Sequence, residues 1–209
     1  MPGISGIRHS FVSEIDDDPE ALNNGEICPK AHWNGENGTS HDISGIKGWE
    51  LIEEKNITVA VNTTTFSNLN GNEDEEYLLE LDVIIYASGS DGEIKLLPNN
   101  QSTNLASTLT FSSNYNTTVQ ALSYSYIRIG GAFWGKESDS WSTFRIKAKD
   151  GQKRKIDGQL NMVNSDLSHR SVENTMGYWT DISANIISLV LSCNFTFKGN
   201  IKLYKKIPL

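Results

Sequence analysis

Cysteine is nearly missing from this chain: Cys28 and Cys193 are the two in 209 residues. They stand far apart and in no ligand-like spacing, which argues against a cysteine metal site. Two free thiols are the plain reading, with one bridge joining the ends of the chain as the alternative. Long apolar runs are missing too. No stretch approaches the roughly 18 consecutive apolar residues of a membrane span, and the opening MPGISGIRHS lacks the apolar core of a secretory signal. Neither membrane insertion nor a leader peptide is expected. Acceptor triplets such as Asn56-Ile57-Thr58 and Asn194-Phe195-Thr196 then follow from an Asn- and Thr-rich composition rather than from glycosylation.

Positive charge is scarce as well. The formal net charge is −8, and a protein that neutralises many phosphates needs a basic face. The one basic cluster is Lys147, Lys149, Lys153, Arg154 and Lys155, which spans a predicted hairpin. It reads as a solvated strand end that discourages edge pairing, so no nucleic-acid partner is expected.

Catalytic signatures are the fourth absence. The carboxylates of Asp16–Asp18 and Glu73–Glu76 sit in runs beside Asn, Gly or Pro and read as solvated loops, not as a matched acid and base. No acidic stretch has the alternating order of a calcium loop. His9, His32 and His41 are widely spaced, with no HExxH or Cys/His pairing. Ser123 and Ser125 lack a nucleophile-elbow context, and no phosphate-binding glycine loop occurs. The expectation is a non-enzymatic protein with no cofactor and no metal.

What the chain does have is Asn, Ser, Thr and Gly around a modest apolar share of 37%. That mix favours turns and half-buried strands, because short polar side chains compete with helical hydrogen bonds. Residues 1–47 differ from the rest: apolar residues are sparse and aperiodic, and an acidic run is followed by many Gly and Asn. Such a segment buries too little surface to fold alone. It is expected to be an extended N-terminal arm, anchored on another surface by Phe11, Ile15, Ile27 and Trp33.

From Trp49 the pattern turns to strands, giving an expected β domain over 48–209. Tyr77, Leu79, Leu81, Val83 and Ile85 alternate with positions that include Glu80 and Asp82; Ser142, Phe144, Ile146 and Ala148 alternate with Thr143, Arg145, Lys147 and Lys149. Ile57, Val59 and Val61 alternate with Thr58 and Ala60. Further predicted strands are Glu93–Leu97, Ala106–Ser112, Val119–Ile129, Lys153–Met162, Thr175–Ile182, Ile186–Ser192 and Phe195–Lys205. Between them lie the turn signals Asn70-Gly71, Ser90-Asp91-Gly92, Pro98-Asn99-Asn100, Asp150-Gly151 and Gly199-Asn200. Of these, Asp150-Gly151 is the best two-residue hairpin. Nine or ten short strands without an internal period imply an all-β chain: a jelly-roll-like antiparallel β-sandwich behind an extended arm.

The aromatics allow two readings. Tyr124, Tyr126, Phe133, Trp134 and Trp141 gather around glycines, and Tyr178-Trp179 form a second pair. Such rings fill the core between two sheets, or they stack on sugars while nearby polar groups supply hydrogen bonds. The segment from Phe133 to Trp141 is the candidate glycan contact, with Trp134, Lys136, Asp139 and Trp141 as its residues.

Two stretches resemble known proteins. Arg8-His9-Ser10-Phe11-Val12-Ser13 is followed by Asp16–Asp18, Gly25-Glu26-Ile27-Cys28-Pro29-Lys30, His32-Trp33-Asn34, Ser40-His41 and Ile43-Ser44-Gly45. This order resembles a recurrent arm of tailed-bacteriophage structural proteins, although the spacer Gly35–Thr39 before His41 is longer than usual. The body, from Trp49-Glu50-Leu51-Ile52 through Thr65-Phe66-Ser67-Asn68-Leu69-Asn70-Gly71, Ile94–Asn99 and Gly199–Lys205, resembles phage β-sandwich modules.

The resemblance implies a virion protein assembled in the host cytoplasm. Its leading form is a tail-fibre or tail-associated subunit that displays a sandwich for attachment to host-surface glycan. The alternatives are a capsid decoration protein that stabilises the shell and a glycan-degrading tail enzyme. It implies attachment through His9, Phe11, Trp33, Asn34 and His41, with other virion proteins and copies of itself as partners. A homotrimer is expected, with Ile84 and Tyr86 as interface residues or, alternatively, covered by a loop of their own chain.

Overall fold

The computed structural model describes residues 48–113, 116–133, 135–149, 151 and 153–207, with the backbone alone for 111–124. The arm residues His9, Phe11, Trp33, Asn34 and His41, like Cys28 and Trp134, lie outside the described residues.

The fold is all-β. Its strands are β1 (Trp49–Ser67), β2 (Glu76–Tyr86), β3 (Gly92–Pro98), β4 (Leu105–Ser113), β5 (Asn116–Tyr124), β6 (Ile127–Ala132), β7 (Glu137–Lys147), β8 (Arg154–Asn164), β9 (Arg170–Trp179) and β10 (Ser188–Lys206). One helical turn, α1 (Gly71–Asp74), precedes β2, and the buried Tyr77 hydroxyl donates to Asp74 Oδ2 at 2.7 Å to hold it in place.

The strands form one hydrogen-bonded sheet in the order β5-β4-β9-β8-β7-β2-β10-β3-β6, with β1 also paired to β10. The sheet folds over on itself, so that β6 packs across β7 and β8. The two layers of this sandwich are thus two parts of a single sheet. Strand β10 makes the fold-over: Leu189–Cys193 pair with Pro98–Ile94 of β3, and Thr196–Lys205 pair with Tyr86–Tyr77 of β2.

Period-two alternation sets what lies between the layers. Tyr77, Leu79, Leu81, Val83 and Ile85 of β2, Phe144 and Ile146 of β7, and Phe197, Ile201 and Leu203 of β10 are all buried, as their sequence phase predicts. The β7 pattern is strict, with every even position from Ser138 to Ile146 inside and every odd one exposed. The β2 pattern is not: Leu78 on the other face is buried too, beside Tyr204 and Arg145 in the flanking strands.

The inner face also carries an unusual set of hydroxyls. Strand β6 ends the path of the sheet, with β3 as its one strand neighbour among the described residues. Its backbone is met by side chains from the facing layer. Ser142 Oγ donates to the Ile129 carbonyl at 2.7 Å, and the Gly131 N–H donates to Ser140 Oγ at 3.2 Å. The Phe133 N–H donates to Ser138 Oγ at 3.3 Å, and Thr175 Oγ1 donates to the Arg128 carbonyl at 3.3 Å. Buried hydroxyls therefore latch one layer to the other.

Several predicted boundaries change. Val119–Ile129 is two strands, β5 and β6, because the apolar phase switches from even (Leu122, Tyr124, Tyr126) to odd (Ile127, Ile129), and Ser107 Oγ donates to the Tyr126 carbonyl at the break. Ile186–Ser192 and Phe195–Lys205 are instead a single 19-residue strand. Gly199-Asn200 is no turn: Gly199, at φ +137°, lets β10 pass β2 where an added Cβ would sit 2.3 Å from the Asp82 carbonyl oxygen. Strand β9 starts and ends earlier than predicted. The hairpin joining β7 to β8 exists, but its connection exceeds two residues, because the Ala148 N–H donates to the Glu75 carbonyl and the Gly151 N–H to the Ile182 carbonyl.

In the basic cluster, Lys147, Lys149 and Lys153 are exposed and Lys155 is half-buried, but Arg154 is buried. Its guanidinium lies 4.9 Å from the Trp179 ring centroid, and Nε donates to the Ala148 carbonyl at 3.1 Å.

Leu81→Ala removes a core side chain and is expected to cost ~2–5 kcal/mol in urea unfolding; a near-neutral result would contradict the register. Ser142→Ala leaves the buried Ile129 carbonyl without its donor and is expected to cost ~1–3 kcal/mol. A wild-type midpoint for that variant would show that the hydroxyl latch carries no stability.

Candidate binding face

The odd positions of β7 point away from the core and place Asp139, Trp141, Thr143 and Arg145 along the middle of the outer sheet face. Trp141 is 44% exposed, unusual for an indole at the centre of a strand. Cross-strand register supplies its surroundings. Asp82 of β2 and Asn161 of β8 flank it directly, and the next row runs Glu80, Thr143, Gln159, Asn174 and Thr110. The Gln159 and Asn174 amides are joined at 3.4 Å. The row after that runs Leu78, Arg145, Asp157, Met176 and Thr108.

Over β4, β9 and β8 this face dips into an open concavity of about 710 Å³. Its lining combines Met176 and Tyr178, both well exposed, with Asp157, Gln159, Asn174 and Thr108. Gly158 lies in its wall, where a Cβ would meet the Thr143 carbonyl oxygen at 2.2 Å, so the glycine allows β7 and β8 their close approach. Tyr178 stands six residues along β9 from Val172, which neighbours Asn161 in the Trp141 row. That is about 20 Å at strand rise. An aromatic ring therefore stands towards each end of a strip lined by amides and hydroxyls, with Asp82, Glu80, Arg145 and Asp157 along it.

The predicted contact residues divide. Asp139 and Trp141 share one face of one strand, rather than a loop. Lys136 stands in the connection before β7 and pairs with Asp166 in the turn between β8 and β9. That lysine, with the Ser168 hydroxyl and N–H, holds the Asp166 carboxyl well below its ordinary range. Beside this clamp the Phe133 and His169 rings lie 5.3 Å apart. Of the suggested interface pair, Ile84 is half-buried next to Asp139, and Tyr86 is covered by Lys198, whose ammonium lies 5.3 Å from the ring centroid.

Sequence reading missed a charged group in the interior. Arg128 lies 3.8 Å from Glu93 and 3.6 Å from the buried Glu173. Tyr126 donates to Glu93 at 2.7 Å, under the Lys95 ammonium. The signal was present in β9, where Ser171, Glu173 and Thr175 occupy the inward phase of an alternating strand. Among the described residues no group of three or more His, Cys, Asp or Glu side chains would hold a metal ion, and no helix is long and apolar enough to cross a membrane. Comparison with family models, with curated proteins and with solved structures returns no match to this chain.

Burial pushes the Glu173 carboxyl up, and Arg128 opposes the shift only in part. An acid whose pKa is higher folded than unfolded holds its proton more tightly in the native state. Its contribution is therefore complete below the ordinary carboxylate pKa and is lost as pH rises through the raised value. The stability of the parent relative to Glu173→Gln should fall between acid and neutral pH. A difference that stays constant across that range in urea titrations would contradict the assignment.

Proposed function

We propose that this chain is a non-catalytic binding subunit of a tailed-bacteriophage virion, which holds host-surface glycan against the outer face of its sandwich. The observation that carries the binding role is Trp141, exposed at the centre of a sheet face and ringed by Asp82, Asn161, Thr143 and Gln159. An exposed indole offers a flat apolar surface to the CH groups of a sugar ring, and amide and hydroxyl side chains at strand spacing supply its hydrogen bonds. The length of the strip, from Trp141 to Tyr178, suits an oligosaccharide better than a single sugar. The virion role rests on the order of the arm and body motifs in the sequence. Displayed in several copies, a shallow site of this kind gains attachment strength through effective concentration.

The test uses an array of bacterial surface oligosaccharides probed with the full chain and with Trp141→Ala. Because Trp141 lies outside the core, the variant should keep its circular dichroism spectrum and lose about tenfold in affinity, or ~1.4 kcal/mol. Unchanged binding would contradict the site. A reducing-end assay on the bound glycans should detect no cleavage; release of reducing ends would make the face catalytic.

A further inference from the structure

The end of the sheet at β6 is closed by hydroxyls from the facing layer, and the edge at β1 is treated differently. Strand β1 runs for 19 residues and has β10 as its one strand neighbour among the described residues. From Asn56 to Asn72 it and the following turn contain no charged residue and no proline. Within that stretch Thr58, Val59, Ala60, Asn62 and Thr63 are exposed. Natural edge strands are blunted by charge, proline, bulges or short length. This edge, about 35 Å from Asn56 to Phe66 at strand rise, is long, rich in β-branched residues and uncharged.

A second observation falls on the same strand. Ile57 and Val61 pack against the hydrophobic core. Val59 has their phase and lies between them, yet it is 76% exposed. Among the described residues, nothing covers the inward row of β1 at its middle.

We infer that the β1 edge pairs with a strand of a second copy of this chain, which also covers Val59. Charge selects that occupant. Each copy carries −8, so copies repel wherever carboxylates meet, and the stretch from Asn56 to Asn72 lets two chains approach with no like charges opposed. A partner recognised by opposite charge would find nothing on this edge to pair with. The inference is independent of what the outer face binds.

Sedimentation of the full chain over a concentration series, with hydrogen exchange read on the β1 amides, tests it. The parent should associate, with protection of Ile57–Thr63 rising with concentration. Val59→Lys should remain folded by circular dichroism and lose association at least tenfold, and Thr63→Lys, also at an exposed position, should do the same. A parent that stays monomeric, β1 amides that exchange at a rate independent of concentration, or association unmoved by both lysines would each overturn the inference.

Discussion

Strand β10 belongs to both layers at once, pairing with β3 through its first half and with β2 through its second. Its inward residues keep one phase throughout, with Leu189, Leu191 and Cys193 over one layer and Phe197, Ile201 and Leu203 over the other. That continuity brings β3 and β6 over the inner face of β7, β8 and β9. The hydroxyls of Ser138, Ser140, Ser142 and Thr175 then fasten β6 where it lands. Without the fold-over, the apolar faces of β2 and β7 would have nothing to pack on, and the outer face would have no rigid support. Gly199 is the point at which the long strand clears β2, and this explains why a glycine that reads as a turn lies within a strand.

Much of the fold was legible because burial in a sandwich follows a period of two. The β2 and β7 cores could be written from Tyr77–Ile85 and Ser142–Ala148 alone. What could not be read was which turn signals the tertiary structure uses. Pro98-Asn99-Asn100 is a turn with both asparagines at positive φ, whereas Gly199-Asn200 is consumed by a close approach between strands, which no local pattern reports. The break between β5 and β6 was visible as a phase switch but is easily lost within one stretch of strand-like alternation. Arg154 looked like one of a row of solvated cations; only the fold places Trp179 beneath its guanidinium.

The site was legible in part, for a related reason. Composition pointed to the aromatic segment around Trp141, and alternation alone places Trp141 on the solvent face with Asp139. The amides that surround it come from β8 and β9, and their alignment depends on register between strands distant in sequence. Lys136 shows the opposite case: a residue that seemed free for a ligand is engaged in a structural clamp with Asp166. The interior group of Arg128, Glu93 and Glu173 is likewise a product of the fold-over, because its members come from β6, β3 and β9.

We propose that the outer face from β7 to β4 holds a glycan while the rest of the sandwich supports it. Amide and indole shift mapping during titration with a bacterial surface oligosaccharide tests it most directly. If the face binds in this way, the Trp141 indole and the outward residues Asn161, Gln159, Asn174 and Tyr178 move together with one dissociation constant. Shifts confined to the turns at Ser90–Gly92 or Ser165–Ser168, with the Trp141 indole unmoved at saturation, would contradict it.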